Sequence, residues 1–246
     1  MKVSVVVSRG VGKAKCEDTV LLSDSVMFDC DMETELEIPS VICVADGVGS
    51  NLGGELASRF LLGEIANLQN IDYTEDVLNE VLIKINKDLL SYADATEDKK
   101  QMATTLTGLF IGKDKMLYAQ SGNTRLYVMQ GKYLKQITKD HTTYQWLMDC
   151  GNEEAVESCN KNEIRCCFGG GTEKYLGQLL VKSIENYSNV STMLLTSDGI
   201  HEYVDIDTLE ELLTSGACDL DIVKELCRIA EDNGSKDDRT AVLIRR

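Results

Sequence analysis

Four short phrases carry carboxylates where a strand would meet a turn. Val41-Ile42-Cys43-Val44-Ala45-Asp46-Gly47 is an apolar run ending in Asp-Gly, and Met193-Leu194-Leu195-Thr196-Ser197-Asp198-Gly199 is another. Ser235-Lys236-Asp237-Asp238-Arg239-Thr240 leads the other way, into the last apolar run, and Cys16-Glu17-Asp18 precedes Thr19-Val20-Leu21-Leu22 in the same manner. Buried strands would deliver these side chains to a sheet rim. In the two Asp-Gly phrases, Gly47 and Gly199 allow a sharp turn and let the backbone carbonyl approach a ligand. Hard divalent cations such as Mg²⁺ or Mn²⁺ take oxygen ligands from carboxylates, carbonyls and water. Singly, each phrase is also read as a turn aspartate, because Asp-Gly is a common turn dipeptide. Together they form a candidate carboxylate cluster for cations.

The elements that must position these groups are mostly short strands. The pattern predicts strands at 2–8, 19–23, 41–45, 106–112, 116–120, 125–130, 133–138, 193–196 and 240–245, rich in Val, Ile, Leu, Thr and Tyr and bounded by Gly, Asp and Asn. Leu106 to Thr138 reads as an antiparallel meander, with Gly122-Asn123 as one of its turns. One helix is predicted from near Asn51, with Leu52, Leu56 and Phe60 on one face. Another starts near Thr74, its N-cap, and carries Val77, Val81, Ile85 and Leu89. A third lies at 221–231, with Ile222, Val223, Leu226 and Ala230 on one side. The order suits an α+β layered domain better than alternating βαβ units. The polar, poorly periodic segment 142–162 is a candidate flap beside a site.

The 246 residues suit one large domain or two small ones, with length enough for a sizeable core, and are read as a single domain, 1–246. A formal net charge of −16 and no basic stripe argue against nucleic acid as a partner. The nine cysteines are irregularly spaced with no Cys-x-x-Cys, so they read as reduced thiols rather than a zinc site. No apolar run approaches a membrane span or a signal peptide, so a cytosolic protein, with no membrane partner, is expected.

The phrases also match a family in sequence order. Gly12-Lys13-Ala14-Lys15-Cys16-Glu17-Asp18 looks like an opening Arg-x-x-Asn-Glu-Asp. Val44-Ala45-Asp46-Gly47-Val48-Gly49, with Gly54-Glu55 and Ala57-Ser58, looks like Ala-Asp-Gly-Met-Gly-Gly followed by Gly-Glu-x-Ala-Ser. Ala103-Thr104-Thr105-Leu106 is similar to Gly-Thr-Thr-Leu, and Ser121-Gly122-Asn123-Thr124-Arg125-Leu126-Tyr127 to Gly-Asp-Ser-Arg-x-Tyr. Thr138-Lys139-Asp140-His141, Thr196-Ser197-Asp198-Gly199-Ile200 and Asp237-Asp238-Arg239-Thr240 resemble Thr-x-Asp-His, Ser-Asp-Gly-Leu and Asp-Asn-x-Thr. Seven matches in order are specific where one would be weak. The chain resembles the metal-dependent protein phosphatases of the 2C family, in the compact bacterial-type form.

That resemblance implies a four-layer αββα sandwich, two central, mostly antiparallel β-sheets flanked by helices, with two Mn²⁺ or Mg²⁺ ions in a cleft at one end. It implies a serine/threonine protein phosphatase acting through a metal-bridging hydroxide. It implies phosphoprotein substrates opposed to a serine/threonine kinase, and a monomer. Asp46 would bridge both metals, Glu17 and the Gly47 carbonyl would serve one, and Asp198 and Asp237 the other. Asp18 would orient a ligand from behind, and Lys13 would bind the substrate phosphate where the family carries arginine. Cys16 stands in place of asparagine, and Val48 brings no acid to its position. Asn123 replaces an aspartate that would hold a third metal, which puts that site in doubt. His141 and His201 match no catalytic role. The competing expectation is a phosphatase fold that has lost catalysis and binds a partner; the departures at 13, 16 and 123 favour it, and the intact carboxylates oppose it.

Overall fold

In β1 (Lys2–Ser8), Val5 and Val7 enter one apolar layer while Val6 enters another. β2 (Asp18–Leu22) repeats the pattern, with Val20 and Leu22 on one side and Leu21 on the other. Successive strand side chains point to opposite faces. Strands apolar on both faces therefore have to lie between two cores, and the architecture follows from that.

The computed structural model describes residues 1–246 apart from 49–51, 69–72 and 186. After β2 come β3 (Ser25–Met27), β4 (Cys30–Glu35), β5 (Ser40–Asp46), α1 (Gly54–Ala66) and α2 (Glu75–Ala95). They are followed by β6 (Ala103–Thr104), β7 (Leu106–Ile111), β8 (Met116–Ser121), β9 (Arg125–Gln130) and β10 (Tyr133–Gln136). Two short helices, α3 (Thr143–Asp149) and α4 (Glu153–Ser158), lead to β11 (Phe168–Gly169) and β12 (Leu180–Ser183). The chain ends with β13 (Thr192–Thr196), α5 (Asp198–His201), α6 (Ile206–Thr214), α7 (Asp219–Asp232) and β14 (Arg239–Arg245).

One six-stranded sheet has the order β10-β9-β13-β14-β1-β4 and the other β12-β8-β7-β5-β2-β3, all pairs antiparallel. Three apolar layers separate four layers of structure. Leu21, Cys43 and Phe110 pack beneath Leu61, Leu82 and Leu89 of α1 and α2. Val5, Val20, Ile42, Val44, Met193 and Val242 fill the space between the sheets. Val6, Leu194 and Ala241 meet Leu209 and Leu226 of α6 and α7. The αββα expectation is met.

Several local expectations are corrected. The 106–138 stretch is two hairpins, not one meander. β7 pairs with β8 and β9 with β10, but β9 takes β13 as its other neighbour and lies in the opposite sheet. The chain crosses between sheets at 122–124, because turn residues reverse a chain without specifying which strand it then meets. Leu52 is 69% exposed, and the buried stripe of α1 runs through Ala57, Leu61 and Ile65. The start of that helix near Asn51 lies outside the described residues. In α2, Thr74 does cap the helix, accepting from the Val77 amide at 3.3 Å, but Val77 faces outward and Leu78 and Leu82 lead the buried stripe. The α7 stripe is as expected. Strands β3, β4 and β12 and helix α6 were not anticipated. All nine cysteines are free. No described helix is long and apolar enough to cross a membrane.

Candidate metal centre

The antiparallel order brings four strand ends to one rim. β5 ends where β2 begins, with Asp46 directly opposite Asp18. In the other sheet β13 ends at Thr196, opposite Ala241 near the start of β14. Asp198 follows β13, and Asp237 precedes β14. Lys13, Glu17, Asp46, Gly47, Asp198 and Asp237 all line one cleft of about 560 Å³. Asn160, Asn162 and Ile164, from the segment after α4, line it too. That segment is anchored by a Thr142–Ile164 bridge and by Asn162 Nδ2 donating to Glu202 at 3.2 Å. Gly49 of the Asp-Gly phrase lies outside the described residues.

The backbone around Asp46 is fixed by the two threonines of the Ala-Thr-Thr phrase. The Asp46 amide donates to Thr105 Oγ1 at 3.0 Å, and its carbonyl accepts from Thr104 Oγ1 at 3.0 Å and from the Thr105 amide at 2.8 Å. Gly47 lies backbone to backbone against Gly54, where a Cβ would come within 2.4 Å of the Gly54 carbonyl. This close approach explains the paired glycines in the two phrases. Ser58 of α1 donates to the Glu17 carbonyl at 2.7 Å and so ties the helix to the loop carrying Glu17.

Asp18 is fully buried and joins the two sheets. Its Oδ2 accepts from Ser197 at 2.8 Å and Thr240 at 2.6 Å, while its Oδ1 has no partner. Asp198 Oδ2 accepts from Asn123 Nδ2 at 2.9 Å, and Asp198 Oδ1 and Asn123 Oδ1 are buried without partners. Burial, with Asp238 nearby, pushes Asp18 up to about 7; burial, with Asp237 and Glu202 nearby, pushes Asp198 up to about 7. Asp46 is driven well above the usual carboxylate range by burial and by the charges of Asp18, Asp198 and Asp237. Buried carboxyl oxygens that repel one another and lack donors are a group a cation would satisfy. The donor set, all oxygen, fits Mg²⁺ or Mn²⁺. Among the described residues no group of three His, Cys, Asp or Glu side chains is placed to hold a metal ion as it stands.

Lys13 and Asp238 complete the rim. Lys13 Nζ donates to Asp237 Oδ1, reaches Asp238 Oδ2 at 3.1 Å and lies 3.5 Å from Glu17 Oε2. Burial alone would lower its pKa, but Asp237 and Asp238 raise it, so the ammonium stays charged. Asp238 also accepts the Gly10 amide at 2.6 Å and the Glu17 amide at 2.8 Å, holding the 10–17 loop against the turn before β14. Sequence reasoning passed over Asp238. The signal was the doubled acid, where the family phrase has Asp-Asn. The histidines sit apart from this chemistry: His201 Nδ1 is 2.8 Å from Thr196 Oγ1, and His141 Nδ1 accepts from the Gly122 amide at 3.3 Å. Burial lowers the pKa of both.

A four-layer sandwich with clustered carboxylates at the rim where its sheets meet defines a phosphatase-fold protein. The chain belongs to the protein phosphatase 2C family, which residues 23–241 match. The match begins beyond Lys13, Glu17 and Asp18, so those three rest on their own geometry and motif. Across 216 residues the chain is 26% identical to serine/threonine phosphatase stp of Listeria monocytogenes, covering 84% of each. It is 26% identical to protein phosphatase PhpP of Streptococcus pneumoniae, covering 83% of this chain and 85% of that protein. The solved structure of serine/threonine phosphatase Stp1 from Staphylococcus aureus superposes with a TM-score of 0.80 at 25% identity, over 99% of this chain and 94% of that one.

Proposed function

We propose that the chain hydrolyses phosphoserine and phosphothreonine on proteins, opposing a serine/threonine kinase, with two divalent cations, Mn²⁺ or Mg²⁺, held by Glu17, Asp46, the Gly47 carbonyl, Asp198 and Asp237. The observation that carries this reading is the gathering of Glu17, Asp46, Asp198 and Asp237 on one cleft, with a buried oxygen of Asp198 left without a partner, in a chain of this family. When bound, the cations supply a nucleophile at neutral pH and charge stabilisation at phosphorus. The protein's own contribution is position. Thr104 and Thr105 fix the Asp46 backbone, Asn123 orients Asp198, and Asp18 holds the two sheet ends in register through Ser197 and Thr240. Lys13 and Lys236 line the same cleft and bring positive charge toward a phosphate. The segment 142–162 is a flap over the substrate entrance, and the protein acts as a monomer.

The test is Mn²⁺-dependent release of phosphate from a phosphothreonine peptide and from p-nitrophenyl phosphate. Wild type turns over and Asp46→Asn falls to background while keeping its far-UV and near-UV circular dichroism. Turnover by Asp46→Asn near the wild-type rate would remove the two-metal assignment. A wild type without turnover at any Mn²⁺ concentration would favour the binding-module alternative.

A further inference from the structure

Lys13 and Asp238 are both departures from the family phrases quoted above, which carry arginine and asparagine at these places. The structure puts the two in contact. Lys13 Nζ is 3.1 Å from Asp238 Oδ2, and the same ammonium donates to Asp237 and lies 3.5 Å from Glu17. Asp238 is buried, and its two oxygens are already held by the Gly10 and Glu17 amides. Asp238 therefore cannot swing toward solvent, and it fixes an ammonium beside Asp237, a carboxylate the cation needs.

We infer that Lys13, anchored by Asp238, is a tethered counter-cation that competes with the divalent ion for Asp237 and Glu17, so that metal uptake and exposure of Lys13 to substrate phosphate are a single linked event. This rests on the metal-centre reading above and adds a regulation to it. A carboxylate engaged by an ammonium is a weaker ligand for a second cation, and two positive charges within one such cluster repel each other. Entry of the divalent ion at Asp237 displaces the lysine. The four-carbon stem leaves the ammonium free to reorient within the cleft. Linkage is reciprocal: an anion that draws Lys13 away from Asp237 tightens the ion, and the ion strengthens the anion's binding. The second departure has a role in the same scheme, since the carboxylate at 238 keeps Lys13 poised near the rim after it leaves Asp237.

The measurement is calorimetric titration of Mn²⁺ into chelator-stripped protein, with and without inorganic phosphate, for wild type, Lys13→Met, Lys13→Gln and Asp238→Asn. Lys13→Met and Lys13→Gln should bind Mn²⁺ about tenfold or more tightly at the weaker site, the size of one removed neighbouring charge in a partly solvated cluster. Phosphate should tighten Mn²⁺ in wild type by a larger factor than in either Lys13 variant. In chelator, both Lys13 variants should melt below wild type, because Asp237 and Asp238 lose their counter-charge. Unchanged or weaker Mn²⁺ affinity in Lys13→Met and Lys13→Gln would overturn the competition and leave the phosphatase reading intact. Wild type that binds no Mn²⁺ at all would instead overturn the metal centre, and the linkage with it. Asp238→Asn serves as the anchor control, and a phosphate effect equal to wild type would remove Asp238 from the device.

Discussion

Asn123 gives Asp198 a hydrogen-bond donor at 2.9 Å, and both side chains are buried. The reading of Gly122-Asn123 as an ordinary hairpin turn does not survive this contact, since the chain there crosses from one sheet to the other. An aspartate at the same place would face Asp198 with a second negative charge. Asn123→Asp should therefore lower the melting temperature in chelator and raise it again in Mn²⁺. It should also add a metal-binding event to the calorimetric titration, with higher activity at high Mn²⁺ or Mg²⁺, because a carboxylate attracts a divalent ion far more strongly than an amide. Stoichiometry and metal dependence identical to wild type would reduce Asn123 to a donor for Asp198. At this scale the sequence was legible as to place: Glu17, Asp46, Asp198 and Asp237, singled out by type and neighbours, do line one cleft. It was silent on partners. Nothing in Asp238 or Lys13 taken alone shows that a loop at 10–17 folds onto the turn at 235–238, more than two hundred residues away along the chain.

Strands were easier to read than the faces of helices. The apolar runs of β1 and β14 appear where composition puts them, because a strand covered on both faces reads as a continuous apolar run. The α2 stripe was misplaced by one residue at its start. Val77-Val81-Ile85-Leu89 and Leu78-Leu82-Ile85-Leu89 are both apolar at helical spacing, and only the sheet beneath selects the second. Glycines record similar tertiary information. Gly199 lies where a Cβ would come within 2.0 Å of the Asp238 carbonyl, so α5 and the entry to β14 meet through bare backbone. Gly199→Ala should cost about 1–3 kcal/mol as an overpacked contact, read as a lower chemical-denaturation midpoint, and should weaken Mn²⁺ binding by parting Asp198 from Asp237. Gly63, inside α1 with open space at its Cβ, is the opposite case. Gly63→Ala should stabilise by about 0.4–1 kcal/mol through the lost freedom of the unfolded chain, with metal affinity unchanged. Equal denaturation midpoints for the two variants would contradict the packing assigned to both.

The whole molecule is two sheets meeting at an acidic rim, in a chain with a formal net charge of −16. Folding gathers Asp18, Asp46 and Asp198 where burial and mutual repulsion oppose ionisation, with Asp18 and Asp198 pushed up to about 7 and Asp46 also raised. In the unfolded chain the same groups titrate near about 4. Between those values the folded state holds protons that the unfolded state has released. A native state that binds more protons loses stability as pH rises, and the loss is complete above the folded pKa. Repulsion among the surface carboxylates grows in the same direction. The buried His141 and His201, whose lowered pKa makes stability rise with pH up to about 6.5, oppose this but are outweighed by three raised carboxylates. In chelator the melting temperature should therefore be higher at about pH 5 than at about pH 8. Saturating Mn²⁺ should reverse the order, because a cation binds the ionised form and stabilises the folded state by mass action. Asp18→Asn removes one titrating group while an amide oxygen can still accept from Ser197 and Thr240, so it should flatten the slope measured in chelator. A melting temperature that climbs with pH in chelator, or an Asp18→Asn slope equal to wild type, would show that Asp18 ionises at the ordinary carboxylate pH and that the rim is stable without a cation.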